Sequence, residues 1–158
     1  MSEDKNQFME EAIRLSLETM RNNTGGPFGA IVVKDGKIIS RGYNKVVSTN
    51  DPTAHAEVVA IREACKALNT FQLDGCEIYT SCEPCPMCMA AIYWARPDKV
   101  YYANTKLDAA KIGFDDQFIY DELVLQYADR KIPVEQMLRE HAISVFEEWE
   151  KKTDKIRY

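Results

Sequence analysis

Two short stretches hold the residues best able to do chemistry: "PTAHAE", with His55 and Glu57, and "TSCEPCPMC", with Cys82, Cys85 and Cys88. Cys85 and Cys88 lie three apart where a helix should begin, so both thiols can face one point. The positive end of a helix dipole lowers the pKa of a thiol and favours the thiolate that binds metal. One imidazole and two thiolates form a donor set suited to Zn²⁺. Three protein ligands leave a fourth tetrahedral position open, as in catalytic zinc sites. We therefore expect one Zn²⁺ per subunit on His55, Cys85 and Cys88. Glu57, two residues after His55, does not share its helix face and should stand beside the ion as a non-ligand. Two thiolates cancel the charge of Zn²⁺ and leave a bound water only weakly acidified, so such a site needs a base. Glu57 is the candidate.

Other readings compete with this one. Cys82 could close a structural site of three cysteines and one histidine, and spacing does not exclude it, although Glu57 is then left without a role. A redox C-x-x-C pair is a further reading, which the nearby His and Glu disfavour. Cys65 and Cys76 read as plain buried thiols. His141, in a charged stretch, reads as a surface residue. Tyr93, Trp94, Tyr101 and Tyr102 read as core aromatics.

The elements that must position these residues follow from periodicity. Apolar residues at Met9, Ala12, Ile13, Leu17 and Met20 predict a helix over Phe8 to Met20. "NNTGGP" ends it, and "FGAIVV" (Phe28 to Val33) predicts a strand. Asp-Gly in "KDGK" is a hairpin turn leading back through "IISRGYN". Ala54 to Leu68 predicts a second helix, capped by Asp51 or Thr53. "CEIYT" (Cys76 to Thr80) is a strand, Pro84 to Ala95 a helix opened by proline, and Lys99 to Ala103 another strand. "GFDDQFIYDEL" predicts a loop and a short helix, and Ile143 to Thr153 contains a terminal helix. A hairpin followed by helix, strand, helix, strand is an α/β domain with a mixed sheet and helices on both faces. Successive units of this kind bring helix N-termini to one sheet edge, where His55 can meet Cys85 and Cys88.

The totals bound the function. The 158 residues suit one domain, 46 % are hydrophobic and 28 % charged, and the formal net charge is −5. No Lys/Arg cluster stands out, so a nucleic-acid partner is not expected and a neutral small molecule fits better. The N-terminal "MSEDKNQF" is polar and acidic, unlike a signal peptide, and no apolar run reaches membrane-spanning length. Five cysteines, three of them crowded, argue against a disulfide framework, and a cytoplasmic location away from membranes is expected.

"HAE" together with "PCPMC" resembles the signature of the zinc-dependent nucleoside and nucleobase deaminases of the cytidine deaminase superfamily. Within that superfamily, "GGPFGAIVVKDG", "STNDPTAHAE", "YTSCEPCPMC", "AIYWARP" and "GFDDQFIY" are similar to the small bacterial guanine deaminases. The likeness is dense from Gly25 to Tyr120 and thinner elsewhere. The resemblance implies a three-layer α/β/α fold on a mixed five-stranded sheet, with a single deaminase domain over residues 1–158. It implies hydrolysis of guanine to xanthine and ammonia, zinc on His55, Cys85 and Cys88, and Glu57 as proton shuttle. It implies substrate contacts from Phe28, Asn44, the Ala56 backbone N–H and Asp116. It also implies a homodimer that exchanges its C-terminal segment, about 130–158, with Tyr158 entering the partner's site. A carboxylate suits guanine, whose ring N1 and exocyclic amine are donors. Without the resemblance, Asp115 and Asp116 read as solvated loop charges. Deamination of transfer-RNA adenosine or of cytosine would use the same zinc core, and a non-catalytic zinc-stabilised module is the remaining alternative.

Overall fold

The structure, a computed structural model, describes residues 2–158, with side chains from residue 5 onward. These fall into two units, one ending at Asp116 and one spanning Gln117–Tyr158.

The first unit runs α1 (Ser2–Arg21), β1 (Gly29–Lys34), β2 (Lys37–Tyr43), α2 (Val46–Thr49), α3 (Ala56–Leu68), β3 (Cys76–Cys82), α4 (Pro86–Ala95), β4 (Lys99–Asn104) and α5 (Lys106–Lys111). Its sheet has the order β2-β1-β3-β4, with β1 antiparallel to both neighbours and β4 parallel to β3. Period-two alternation sorts β1 cleanly: Ala30 and Val32 face α3 and α4 with Ile78, while Ile31 and Val33 face α1 with Tyr79. The result is the expected α/β/α layering. Because β2 and β3 are both antiparallel to β1, they point the same way. The helices that follow them, α3 and α4, therefore start at one sheet edge.

The sheet has four strands among the described residues, where five were expected. Chain leaving β4 turns at once into α5. There Thr105 Oγ1 accepts the Asp108 N–H at 3.2 Å, and the Asp108 carboxylate accepts the Thr105 N–H at 2.9 Å. This reciprocal cap starts the helix. Later, "KIPVEQML" contains Pro133, which has no N–H to give a ladder, and residues 131–138 form no strand.

The hairpin turn is as read: Asp35 and Gly36 take the paired positive φ, 49° and 70°, of a two-residue β-turn. Helix α1 forms, yet its buried stripe is Ala12 and Leu15, with Phe8 and Met9 packed beside them. Ile13, Leu17 and Met20 are left exposed. Two apolar stripes overlap on this helix, and the one with a small Ala12 at its centre lies on the sheet. Tyr93, Trp94 and Tyr102, read as core, are 76 %, 65 % and 50 % exposed, being on the outer face of α4 and on the edge strand β4. Tyr101 alone of that group stacks inward, 4.7 Å from the Tyr79 ring.

One close approach sets the height of α3. A Cβ on Gly42 of β2 would fall 2.2 Å from the Ala56 carbonyl oxygen and 2.5 Å from the Ala60 nitrogen. The first turn of α3 thus rests directly on strand backbone. Ser40, two residues earlier, donates to the Ala60 carbonyl at 2.7 Å.

The second unit comprises α6 (Gln117–Leu123), a 3-10 turn (Tyr127–Asp129) and α7 (Arg139–Lys151). The terminal helix begins ahead of the expected Ile143. His141 is exposed, as read. No described helix is long and apolar enough to cross a membrane.

An ion cluster ties α1 to β2. Glu11 accepts a fork from Arg14, with both N···O distances 2.8 Å, and a bond from Arg41 at 2.6 Å. The Arg14 bonds, then Arg41, hold the Glu11 carboxyl down from 4.5 to about 2. A depressed carboxylate stabilises the fold above its unfolded pKa and loses that contribution as pH falls through the folded one. The arginines are half exposed, so solvent screening limits the effect. Glu11→Gln should cost about 0.5–1 kcal/mol at pH 7. In urea melts the deficit should shrink as pH falls from 4.5 towards 2; a pH-independent deficit would exclude the ion cluster as its cause.

Candidate active site

His55 and Cys85 occupy equivalent positions. Each is the residue just ahead of a helix, with extended backbone at φ −69°, ψ 156° and φ −65°, ψ 168°. Neither side chain caps its helix, which leaves both available as ligands. Asp51 and Thr53, expected as caps, instead bond each other: Asp51 Oδ1 accepts the Thr53 N–H at 2.8 Å and its O–H at 2.6 Å. Pro86, two residues beyond Pro84, is the first residue of α4. Cys85 is therefore the cap residue and Cys88 the third helical residue, the two positions that face each other in a capping box.

His55 Nδ1 lies 3.6 Å from Cys85 Sγ and 3.4 Å from Cys88 Sγ. All three donor atoms fall within 4.8 Å of one another. Zn–S and Zn–N bonds of about 2.3 and 2.0–2.1 Å, set at a tetrahedral angle, separate sulfur from nitrogen by about 3.6 Å. The residues fit one zinc ion. Cys82 is outside the group: its Sγ turns to the Thr105 carbonyl at 3.7 Å. All five cysteines are free. Cys76 is fully buried, as read, and Cys65 partly so.

The electrostatics describe a site poised to exchange protons for a cation. The Cys88 thiol hydrogen bond, aided by His55, holds the Cys85 thiol down at about 4 against the cost of burial. The same bond, with burial, pushes the Cys88 thiol up. His55 is pushed up by its bond to Cys85. A metal takes the place of these protons when the ligands bind it.

Glu57 is the second residue of α3 and is 6 % exposed. Its Oε2 accepts from Cys88 Sγ at 3.4 Å, and Thr80 Oγ1 lies 3.3 Å from its Oε1. Burial raises its pKa.

The remaining sequence-derived residues divide. Ala56 is fully buried as the first residue of α3, where a backbone N–H has no partner within the helix. Asn44 is 6 % exposed, and its N–H donates to the Phe28 carbonyl at 3.2 Å. Its Oδ1 accepts the Val46 N–H at 3.1 Å, which turns the amide so that its NH₂ group is the pole left for other partners. Gly25 admits this arrangement: a Cβ there would lie 2.4 Å from Asn44 Oδ1. Phe28 meets the edge of Phe114, with centroids 4.9 Å apart and planes at 89°. Asp116 is half-buried. Burial raises its carboxyl, and the charge on Cys85 adds to the effect. Tyr158 ends the second unit and is 71 % exposed.

Two side chains escaped the sequence reading. Phe114 stands in "GFDDQFIY" beside the more conspicuous acids, and Thr80 looks like any strand-forming threonine. Only the alternation Cys76, Ile78, Thr80 along β3 signalled that Thr80 shares the face turned to α3.

A layered α/β/α fold with one imidazole and two thiolates at paired helix starts, and a buried glutamate beside them, defines a hydrolytic zinc-site protein. Residues 2–104 match the cytidine and deoxycytidylate deaminase zinc-binding region, and the chain belongs to that family. It is 52 % identical to the guanine deaminase of Bacillus subtilis over 96 % of this chain and 97 % of that protein. The X-ray structure of a guanine deaminase from that organism superposes with a TM-score of 0.94 at 52 % identity, covering 97 % of this chain and 98 % of the other. A tRNA-specific adenosine deaminase of Aquifex aeolicus is 43 % identical over 78 % of this chain and 80 % of its own.

The ligand set makes a direct test. Cys82→Ser should retain one zinc per chain by metal analysis, whereas Cys85→Ser and Cys88→Ser should lose most of it. Zinc lost from Cys82→Ser would restore the closed structural site.

Proposed function

We propose that this chain hydrolyses guanine to xanthine and ammonia in the cytoplasm. The observation that carries the reading is a buried, hydrogen-bonded Glu57 against a three-donor metal group, in a chain similar along its length to a guanine deaminase. Likeness to the transfer-RNA deaminase covers less of the chain, and a net charge of −5 gives little purchase on phosphates. A reducing compartment keeps the ligand thiols available.

Zinc held by His55, Cys85 and Cys88 would supply Lewis acidity to a water, and the base beside it would complete the activation. Glu57 takes the proton that water gives up. It passes that proton to the ring nitrogen beside the carbon bearing the amine, then takes the second water proton from the oxygen now on that carbon and gives it to the amine, which leaves as ammonia. Asn44 offers NH₂ donors to an acceptor on the base, and Asp116 accepts from the base's own donors. The Ala56 N–H adds a donor, and Phe28 holds the flat ring at an angle that brings the reacting carbon to the water.

We also propose a homodimer with the segment at about 130–158 exchanged, so that Tyr158 of the partner subunit closes each site. Ile132, Met137 and Phe146 are 78 %, 80 % and 72 % exposed, an apolar surface that a second chain would cover. Sedimentation at micromolar concentration should give two chains per particle, and a monomer would remove this part of the reading.

Ammonia release should follow guanine and not adenine, cytosine or transfer RNA. Glu57→Gln should keep its zinc and lose about 10²–10⁴-fold in turnover. Near wild-type turnover in that variant would overturn the role of Glu57, and a preference for transfer RNA would overturn the substrate.

A further inference from the structure

Thr80 lies on β3 with 1 % of its surface exposed, on the strand face turned to α3. Its Oγ1 stands between two oxygens, 3.3 Å from Glu57 Oε1 and 3.0 Å from the Cys82 carbonyl. We propose that Thr80 is a positioning residue, whose hydroxyl holds Glu57 in one place through both states of its carboxyl. This rests on Glu57 being the proton shuttle.

A group that takes up and returns a proton is at one moment a carboxylate and at the next a carboxylic acid. Its neighbours must suit both. A donor on one carboxyl oxygen suits both, provided the other oxygen handles the proton. Oε2 is on the side of Cys88 and the metal group, and Oε1 is on the side of Thr80. With Glu57 ionised, the Thr80 O–H donates to Oε1. With the shuttled proton on Oε2, Oε1 still accepts from the same O–H, and no heavy atom has to move. The Glu57 carboxyl therefore carries its proton without swinging away from the reacting atoms.

Zinc strengthens the dependence on Thr80. In the structure Cys88 also donates to Glu57, at Oε2. As a metal ligand Cys88 is a thiolate and has no proton to give. Among the hydrogen bonds of the described residues, Thr80 is then the side-chain donor left to Glu57.

The test compares Thr80→Val, Thr80→Ala and Thr80→Ser in the zinc-loaded protein, with guanine as substrate. Val keeps the shape and removes the hydroxyl, Ala guards against strain from the second methyl, and Ser restores the hydroxyl alone. Val and Ala should lower kcat about 10- to 100-fold, with KM within about twofold and one zinc per chain. Ser should recover most of the lost kcat. Wild-type kcat in Val and Ala would overturn the proposal, as would a Ser variant no better than Ala. Loss of zinc in Val and Ala would also overturn it, because Thr80 would then be supporting the metal site. Glu57→Gln separates the two claims. If it is active, the shuttle itself is wrong; if it is inactive while Thr80→Val turns over normally, only the positioning role fails.

Discussion

Everything in the first unit serves one constraint, that His55, Cys85 and Cys88 come within 4.8 Å of one another. No single helix or loop supplies all three. They arrive from two chain segments that meet because β2 and β3 run in the same direction on either side of β1. Helices α3 and α4, which come after them in the chain, then begin at one sheet edge, and the residue just before each, His55 or Cys85, belongs to the metal group. At that position the backbone is extended and the side chain is not yet committed to a helix face. A soft donor there gains from the dipole of its own helix. The close seat of α3 on Gly42 and the Ser40 bond to Ala60 fix how far His55 and Glu57 project beyond the edge.

The same arrangement separates the work of adjacent residues. His55 turns to the thiols, while Glu57, two positions on, is buried against β3 with Thr80 and Cys88. A helical offset of two residues turns side chains well apart. A metal-group donor and a buried carboxyl can therefore share one helix start without converging on the same point. Cys82 shows the complementary choice. It is on the same strand as Thr80 and close in sequence to both ligand cysteines, yet the Thr105 carbonyl draws its thiol away. The metal group is left with three donors, His55, Cys85 and Cys88.

Much of this was legible in the residues. "HAE" and "PCPMC" carry a spacing with few structural uses, and a hairpin at Asp-Gly with strong alternation in "FGAIVV" marks the strands. The miscalled features share a physical cause, which is that periodicity says an element is amphipathic but not which neighbour it meets. Helix α1 has two apolar stripes, and only packing against the sheet selects Ala12 and Leu15. Tyr93, Trp94 and Tyr102 have core composition but lie on an outer helix face and an edge strand. The fifth strand is what the resemblance implies, and Pro133, within the strandless residues 131–138, is a signal in the sequence against one there. Thr80 and Phe114 matter through distances to Glu57 and Phe28, across gaps of more than twenty residues that spacing alone does not reveal.

With chemistry at the helix starts, the other ends of those helices carry structural bonds instead: the Leu73 N–H donates to the Ala95 carbonyl at 2.7 Å, and the Asp98 N–H to the Cys76 carbonyl at 2.8 Å. Helices α3 and α4 stop at Asn69 and Arg96, each in the left-handed conformation. A helix of 13 residues carries its far end roughly 20 Å from its beginning. One rim of the sheet therefore gathers the metal group and the opposite rim ties the two helices together, so a disturbance of one is separated from the other by the full length of a helix.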